Sequence, residues 1–368
     1  MRPEFARPTV AEIDLSAFAA NVEAVRGLAG GASILAVVKA DAYGHGAAPV
    51  SRALEAAGVE GFAVALVEEG IELREAGIGR PILVLGGLPV GSERDALAAE
   101  LTPVVFDAGQ VEALARAADG ARVEAHVKID TGMSRLGVSP ADLPAFLTSA
   151  RRHANVILAG ALTHLACPDD AAACREQVEI FDDALRRGRF LGFSPSVVHI
   201  ASSAAIVTAP FSRRSAVRPG ILLYGVLPSA APRAAGLRPA MSLKTKVLQV
   251  RDLAAGGRVG YGGTWTAARP SRIATLPVGY ADGVSRMLSN RGEVLVRGRR
   301  APIAGSVCMD LTMIDVTDTG AASGDEVVLL GAQGADRITA EEIAERSSTI
   351  AYEVLTSVSR RVPRTYRR

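Results

Sequence analysis

ILAVVKADAYGHG, residues 34–46, sets the terms for reading the rest of the chain. Its apolar opening runs straight into Lys39, with Tyr43 four places later. An unbroken apolar run of this kind fits a strand buried on both faces better than one with a wet side. A lysine at its end needs an explanation, because a buried ammonium either finds a counter-charge or shifts its pKa. Two readings stand. Lys39 is a charge that reaches water at the strand's mouth, or it is a nucleophile that holds a carbonyl compound as a Schiff base.

Seven further apolar runs follow: GFAVALV (61–67), PILVLGG (81–87), LTPVVF (101–106), VEAHVKI (123–129), VILAGALTHL (156–165), SVVHIAS (196–202) and AVRPGILLYG (216–225). Between them lie amphipathic stretches such as PVSRALEAAG, DAGQVEALARAADG and REQVEIFDDALRRG, which glycine often closes, as it does just past a helix end. This alternation predicts an α/β fold with an N-terminal (β/α)8 TIM-type barrel, typically about 250 residues. A doubly wound open sheet is the alternative, against which stand the strand count and the lack of a dinucleotide fingerprint.

The rhythm breaks near Gly236. MSLKTKVLQV, RIATLPVGYADG, EVLVRGRRAPIAG, LTMIDV and DEVVLLG are strand-like runs cut by Gly, Pro and Asp, with one helix signal at TAEEIAERSS. The expected organisation is a barrel domain over 10–235 and a C-terminal mostly-β domain over 236–368. Residues 1–9 form an N-terminal extension. TVAEIDL (9–15) also reads as a strand and is a candidate to join the β domain.

Composition narrows the function. With 368 residues, 49% hydrophobic and 22% charged, the chain can bury a large core. A net charge of +2 without an aromatic-rich basic face argues against nucleic acid. The tail arginines Arg360, Arg361, Arg364, Arg367 and Arg368 read as a solvated end. No segment approaches the ~20 apolar residues of a membrane helix, and the start lacks a secretory pattern. Cys167, Cys174 and Cys308 make neither a CxxC pair nor a disulfide framework, which fits a reducing cytoplasm. His45, His126, His153, His164 and His199 are scattered without an HExxH helix, so no metal site is expected.

In such barrels chemistry gathers at the C-terminal ends of the strands. Lys39 ends the first run, Lys128 and Asp130 the fifth. His164 lies near the end of the sixth, Ser202 and Ser203 follow the seventh, and Arg218 is in the eighth, before Pro219 and Gly220. Each has a plainer reading alone: His164 as a hydrogen-bonded core histidine, Lys128 as a rim charge, Gly220 as a turn, Tyr261 as packing beside a glycine turn. The fold would bring the strand-end residues to one mouth.

VVKADAYGHG, VKIDTGMSRLG, THLAC, RPGILLYG, VGYGGTW, GYADG, VCMD and AYEVLTSVSRRVPR run in order from Val37 to Arg364. Together they resemble the alanine racemase family over nearly the full chain. The resemblance implies a pyridoxal 5′-phosphate (PLP) enzyme that interconverts L-alanine and D-alanine, supplying D-alanine for peptidoglycan. It also implies a homodimer with shared active sites. Lys39 would hold PLP as a Schiff base and act on one face of the substrate. Tyr261 of the partner subunit would act on the other, assisted by His164 and Arg218, since a free tyrosine has a pKa of about 10.

By the same matching, Arg218 faces the pyridine nitrogen. Tyr43, Ser203, Gly220, Ile221 and Tyr352 grip the phosphate. Arg135 serves the substrate side, with Met309 and Asp310 contributed by the partner subunit; Tyr280 matches a tyrosine at the entrance, and Lys128 matches a lysine that is carbamylated in many members. Ser306 and Ser202 depart from the arginine and asparagine frequent at those places. Rival readings are a PLP-dependent decarboxylase, a racemase that also takes serine, a PLP carrier and a Schiff-base aldolase. Tyr261 and the long C-terminal part count against all but the second.

Overall fold

The computed structural model describes residues 7–228 and 236–368. The expected extension 1–9 therefore lies largely outside the described residues, as does the stretch just before the expected boundary at 236. The chain forms two compact units. One combines the segment up to Ala17 with Tyr43–His45 and Pro239–Arg368; the other combines Phe18–Ala42 with Gly46–Arg238.

The first strand, β1 (Val10–Asp14), pairs within the β-rich unit. Eight parallel strands then close into a barrel: β2 (Ser33–Val37), β3 (Gly61–Val64), β4 (Ile82–Val84), β5 (Leu101–Val105), β6 (Val123–Lys128), β7 (Val156–Leu162), β8 (Val197–Ser202) and β9 (Ala216–Arg218). Each apolar run holds one of these strands. β9 returns to β2 through Ser33↔Ala216 and Ile34↔Val217, which closes the ring.

The strands are shorter than the runs. In AVRPGILLYG only Ala216–Arg218 pairs, because Pro219 has no N–H for a ladder. The chain then turns into a buried 3-10 segment, Ile221–Tyr224. Tyr224 is wholly buried. It donates its hydroxyl to the Val37 carbonyl at 3.0 Å and meets Phe18 edge-on at 5.7 Å. Asn21 locks the same corner, donating to the carbonyls of Leu223 and Arg238, each at 2.9 Å.

The β-rich unit contains β10 (Met241–Lys246), β11 (Gln249–Leu253), β12 (Arg258–Val259), β13 (Trp265–Thr266), β14 (Ser271–Leu276), β15 (Glu293–Val296), β16 (Arg299–Pro302), β17 (Thr312–Asp315), β18 (Glu326–Gln333), β19 (Asp336–Ile338) and β20 (Arg364–Arg367). Its main sheet has the order β16-β15-β18-β10-β1-β20, with β19 beside β18. β1 lies antiparallel to β10 and parallel to β20, so the strand near 9–15 belongs to this sheet and not to the barrel. β11, β14 and β17 form a second sheet, and β12 pairs with β13.

Where one helix signal was read in this part, two helices stand, Ala340–Ser347 and Ala351–Ser357. The second has only seven residues, two of them β-branched, and its buried Leu355 rather than helix propensity anchors it. No helix among the described residues is long and apolar enough to cross a membrane.

Candidate active site

β2 ends at Val37, two residues before Lys39. From Ala40 the backbone turns left-handed, with φ of 54° at Ala40, 54° at Asp41, 50° at Ala42, 53° at Tyr43 and 79° at Gly44. For the non-glycine residues this costs roughly 1–2 kcal/mol each. Such a run survives only where its surroundings over-determine it, and strain of this kind clusters at functional sites. The Ala42 amide donates to the Val38 carbonyl at 2.9 Å, and the Asp41 carboxylate accepts from the Ala47 amide at 2.7 Å. Glu69 accepts from the Ala40 amide at 2.6 Å. Gly44 is required at its place, since a Cβ there would sit 2.6 Å from the Leu355 carbonyl oxygen.

Lys128 closes β6 and is buried. The loop after it is shaped by Asp130, whose Oδ1 accepts from the amides of Gly132, Met133 and Ser134 at 3.0–3.1 Å. This turn delivers Arg135, whose side chain is exposed.

Arg218 closes β9 with almost no exposure. Its Nη1 donates to His199 Nδ1 at 2.7 Å and to the His199 carbonyl at 2.6 Å. Its Nη2 donates to the carbonyls of Thr163 and Ile200 and to His164 Nδ1 at 3.3 Å. His199 Nε2 lies 2.9 Å from His126 Nδ1. Opposite His126 in the ladder stands Gly160, and a Cβ there would come within 2.4 Å of the His126 ring. The glycine leaves the space that the buried imidazole fills.

A guanidinium only donates, so Nδ1 of both His164 and His199 must be unprotonated. Their protons then sit on Nε2. Burial, together with Arg218, brings His164 down to about 3; Arg135, Lys128 and Lys39 push the same way. Burial and Arg218 bring His126 to about 4 and His199 well below the ordinary value. Burial lowers Arg218 to about 10, which leaves it protonated at neutral pH.

Burial and then Arg135 lower the Lys39 amine below the ordinary lysine range, against the opposing pull of Glu69. Burial, Arg135 and Arg218 bring Lys128 to about 8. The mouth thus offers the neutral His164 imidazole and weakened ammonium groups among fixed guanidinium charge, an environment suited to an anionic ligand and to an amine that gives up its proton.

Ser203 is buried, and its Oγ accepts from the Gly220 amide at 2.7 Å, leaving its own proton to donate. Ile221, next along, is fully buried. The barrel therefore gathers Lys39, Lys128, Arg135, His164 and Arg218, which act on one another, and separately joins Ser203 to Gly220.

The other expected residues belong to the β-rich unit. Tyr43 and Tyr352 stack with ring centroids 6.0 Å apart. Tyr261 is 78% exposed, and its carbonyl accepts from Ser306 Oγ at 3.2 Å. The Tyr280 and Ala281 amides donate to the carbonyls of Cys308 and Met309 at 2.9 and 3.0 Å, which zips the GYADG turn to the VCMD loop. Arg361 bridges Asp310 at 2.7 Å and the buried Asp282 at 3.4 Å.

Sequence reasoning gave no role to His126, His199 or Glu69. The two histidines had a signal: each interrupts an apolar barrel run, and a buried polar group needs a partner.

Residues 13–228 match the family model described as alanine racemase, N-terminal domain, and residues 240–366 match alanine racemase, C-terminal domain. The chain is 50% identical to alanine racemase of Sorangium cellulosum, covering 98% of this chain and 99% of that protein. It is 44% identical to alanine racemase of Geobacter sulfurreducens over 98% and 97% of the two chains. Among solved structures, alanine racemase from D-cycloserine-producing Streptomyces lavendulae superposes with a TM-score of 0.95 at 38% identity, over 99% of this chain and 98% of that one. Alanine racemase from Bacillus anthracis with bound L-Ala-P gives 0.91 at 37% identity, over 99% and 96%. The chain belongs to the alanine racemase family of enzymes.

Proposed function

We propose that alanine racemisation runs here on PLP held at Lys39. Protons move between Lys39 on one face of the substrate and Tyr261 of the partner subunit on the other. The observation that carries this reading is the Arg218 network, which keeps His164 neutral beside a lysine amine of lowered pKa. The donor set fits a phosphorylated aldehyde: an amine able to lose its proton, a buried Ser203 hydroxyl, and the positive charge of Arg135 and Arg218.

PLP supplies an electron sink for the charge that develops at the substrate Cα. The chain's residues do the rest. Ser203 and the Gly220–Ile221 backbone would hold the phosphate, with Tyr43 and Tyr352 as further candidates for the same grip. Arg218 would face the ring nitrogen and supply it a donor; among the described residues its Nε has no hydrogen-bond partner, while both Nη atoms are engaged.

Lys39 Nζ takes the α-proton of D-alanine, and Tyr261 Oη serves L-alanine from the opposite face. His164 keeps its proton on Nε2, the atom that supports a tyrosine oxygen as it loses its own proton. Arg135 and the amide of Met309 of the partner subunit orient the substrate carboxylate, and Asp310 of the partner subunit stands on the substrate side; among the described residues that amide has no hydrogen-bond partner. Tyr280 stands at the entrance. A carbamate on Lys128 would place an anion beside Arg135 and hold it; the lowered amine pKa supports that modification. The exposed Tyr261, Tyr280, Met309 and Leu311 favour cover by a second copy. The proposed setting is cytoplasmic, with D-alanine passing to peptidoglycan.

The test is to incubate the purified chain with L-alanine and PLP and to separate the enantiomers. D-alanine rising to near equality supports the reading. Unchanged L-alanine with retained PLP removes alanine as substrate and brings serine and the carrier reading forward.

A further inference from the structure

We propose that Glu69 is a positioning residue for Lys39, tying the first peptide of the left-handed turn to the end of the neighbouring strand. The inference rests on Lys39 being the catalytic amine. Glu69 is the third residue of the helix Val67–Glu75, where a glutamate commonly caps. Capping accounts for one oxygen only. Oε2 accepts from the amides of Ala65 and Leu66 at 2.8 and 3.1 Å, at the exit from β3. Oε1 points elsewhere, to the Ala40 amide at 2.6 Å. One carboxylate thus spans the exits of β2 and β3.

Three peptide donors need an acceptor with two oxygens, and a carboxylate offers only acceptors. The anchor is firm. Gly70, the next residue, lets the helix press onto β5, where a Cβ would lie 2.7 Å from Leu101 Cδ1. The pinned peptide is the one that leaves Lys39, so releasing it frees the backbone that aims Nζ. The same carboxylate is the counter-charge in a mouth where Arg135, Lys128 and His164 face Lys39 from other elements. Asp41, on Lys39's own turn, is occupied with Ala47.

The experiment compares full-length Glu69→Gln, Glu69→Asp and the neighbouring control Glu68→Gln. It measures kcat and KM with PLP, thermal midpoint, and, on the PLP-free full chain where the Lys39 amine is uncapped, the pH midpoint of Lys39 acetylation by acetic anhydride, read by peptide mass. Glu69→Gln should lower kcat by roughly tenfold to a hundredfold with KM little changed, as expected for a misaimed group. It should also move the Lys39 midpoint to lower pH, because the anion is gone. Glu69→Asp keeps the charge but shortens the reach, so it should lose kcat and keep the midpoint. If it alone folds, that pairing decides the matter.

Unchanged kcat and midpoint in Glu69→Gln overturn the proposal. So does a lower kcat with an unchanged midpoint and a lower melting temperature, which would make Glu69 a fold support only. Lys39→Ala runs alongside: full activity there removes the role of Lys39 itself, a failure distinct from any result at Glu69.

Discussion

Arg218 donates from Nη1 to Nδ1 of His199 at 2.7 Å, and that bond decides where His199 keeps its proton. With Nδ1 occupied as an acceptor, Nε2 carries the hydrogen and donates to His126 Nδ1 at 2.9 Å. The relay runs one way, from a cation through two neutral rings, deep in the barrel. It holds the guanidinium that also reaches His164, so its effect should be felt at the barrel mouth.

His199→Leu leaves one Arg218 donor without its ring partner inside the barrel. The expected cost is about 1–3 kcal/mol of stability, read by denaturant melts. If Arg218 also shifts, kcat should fall roughly tenfold to a hundredfold. His199→Asn, whose side-chain oxygen can stand where Nδ1 does, should recover most of both. Equal loss in the two variants would mean that the ring's volume matters and its acceptor does not.

Acid should unfold the barrel early. His126 and His164 have folded values of about 4 and about 3, with His199 also well depressed, against an ordinary 6.5. The fold therefore favours the neutral rings, and as pH falls the unfolded chain takes up protons first. The stability is whole above about pH 6.5 and drains away as pH falls toward the folded values, by about 3 kcal/mol for His126 alone. Thermal melts from neutral pH down to about pH 4.5 should show a steady fall in Tm, and His126→Asn should flatten it. A flat wild-type profile would contradict the neutral relay.

How much of this was legible varies with the physics. The eight barrel strands could be read because strands buried on both faces are apolar without interruption. Lys39, Lys128, His164 and Arg218 could be placed because polar residues at the ends of such runs stand out. The left-handed turn could not: Ala40, Ala42 and Tyr43 carry no compositional sign of positive φ, and Asp41 and Gly44 alone would suggest single left-handed residues rather than a run. The His126–His199 bond depends on two strands that are not neighbours in the ladder, β6 and β8. Glu69 drew no reading from the sequence, because its partner at the Ala40 amide lies 29 residues away in the chain. TVAEIDL could be read as a candidate strand of the β domain, but its partners near residues 241 and 364 lie at a distance no local pattern spans.

Gly160→Ala tests the space left for His126. The new Cβ would lie 2.4 Å from ring atoms, so either the strand or the imidazole must move. Overpacking of this kind costs about 1–3 kcal/mol. His126→Ala removes the ring and should make Gly160→Ala nearly neutral in the double variant, a coupling that a double-mutant cycle measures directly. Simple additivity would show that the glycine serves the strand's own conformation instead.

Tyr261→Phe separates the two faces of the substrate. The phenolic oxygen is the proposed proton carrier for L-alanine, whereas Lys39 Nζ serves D-alanine, and the ring itself is unchanged by the substitution. Racemisation in both directions should fall steeply, because each turnover needs both groups. Exchange of the α-hydrogen with solvent deuterium should not fall equally. D-alanine should still exchange at Lys39, while L-alanine exchange should drop with the lost hydroxyl. The asymmetry distinguishes two carriers from one mobile lysine, since a lysine working both faces would leave the two exchange rates in step. It also bears on His164. Because Arg218 holds Nδ1, the remaining Nε2 proton can assist only a group on its far side. His164→Leu should then repeat the Tyr261→Phe asymmetry in weaker form, reducing L-alanine exchange before D-alanine exchange.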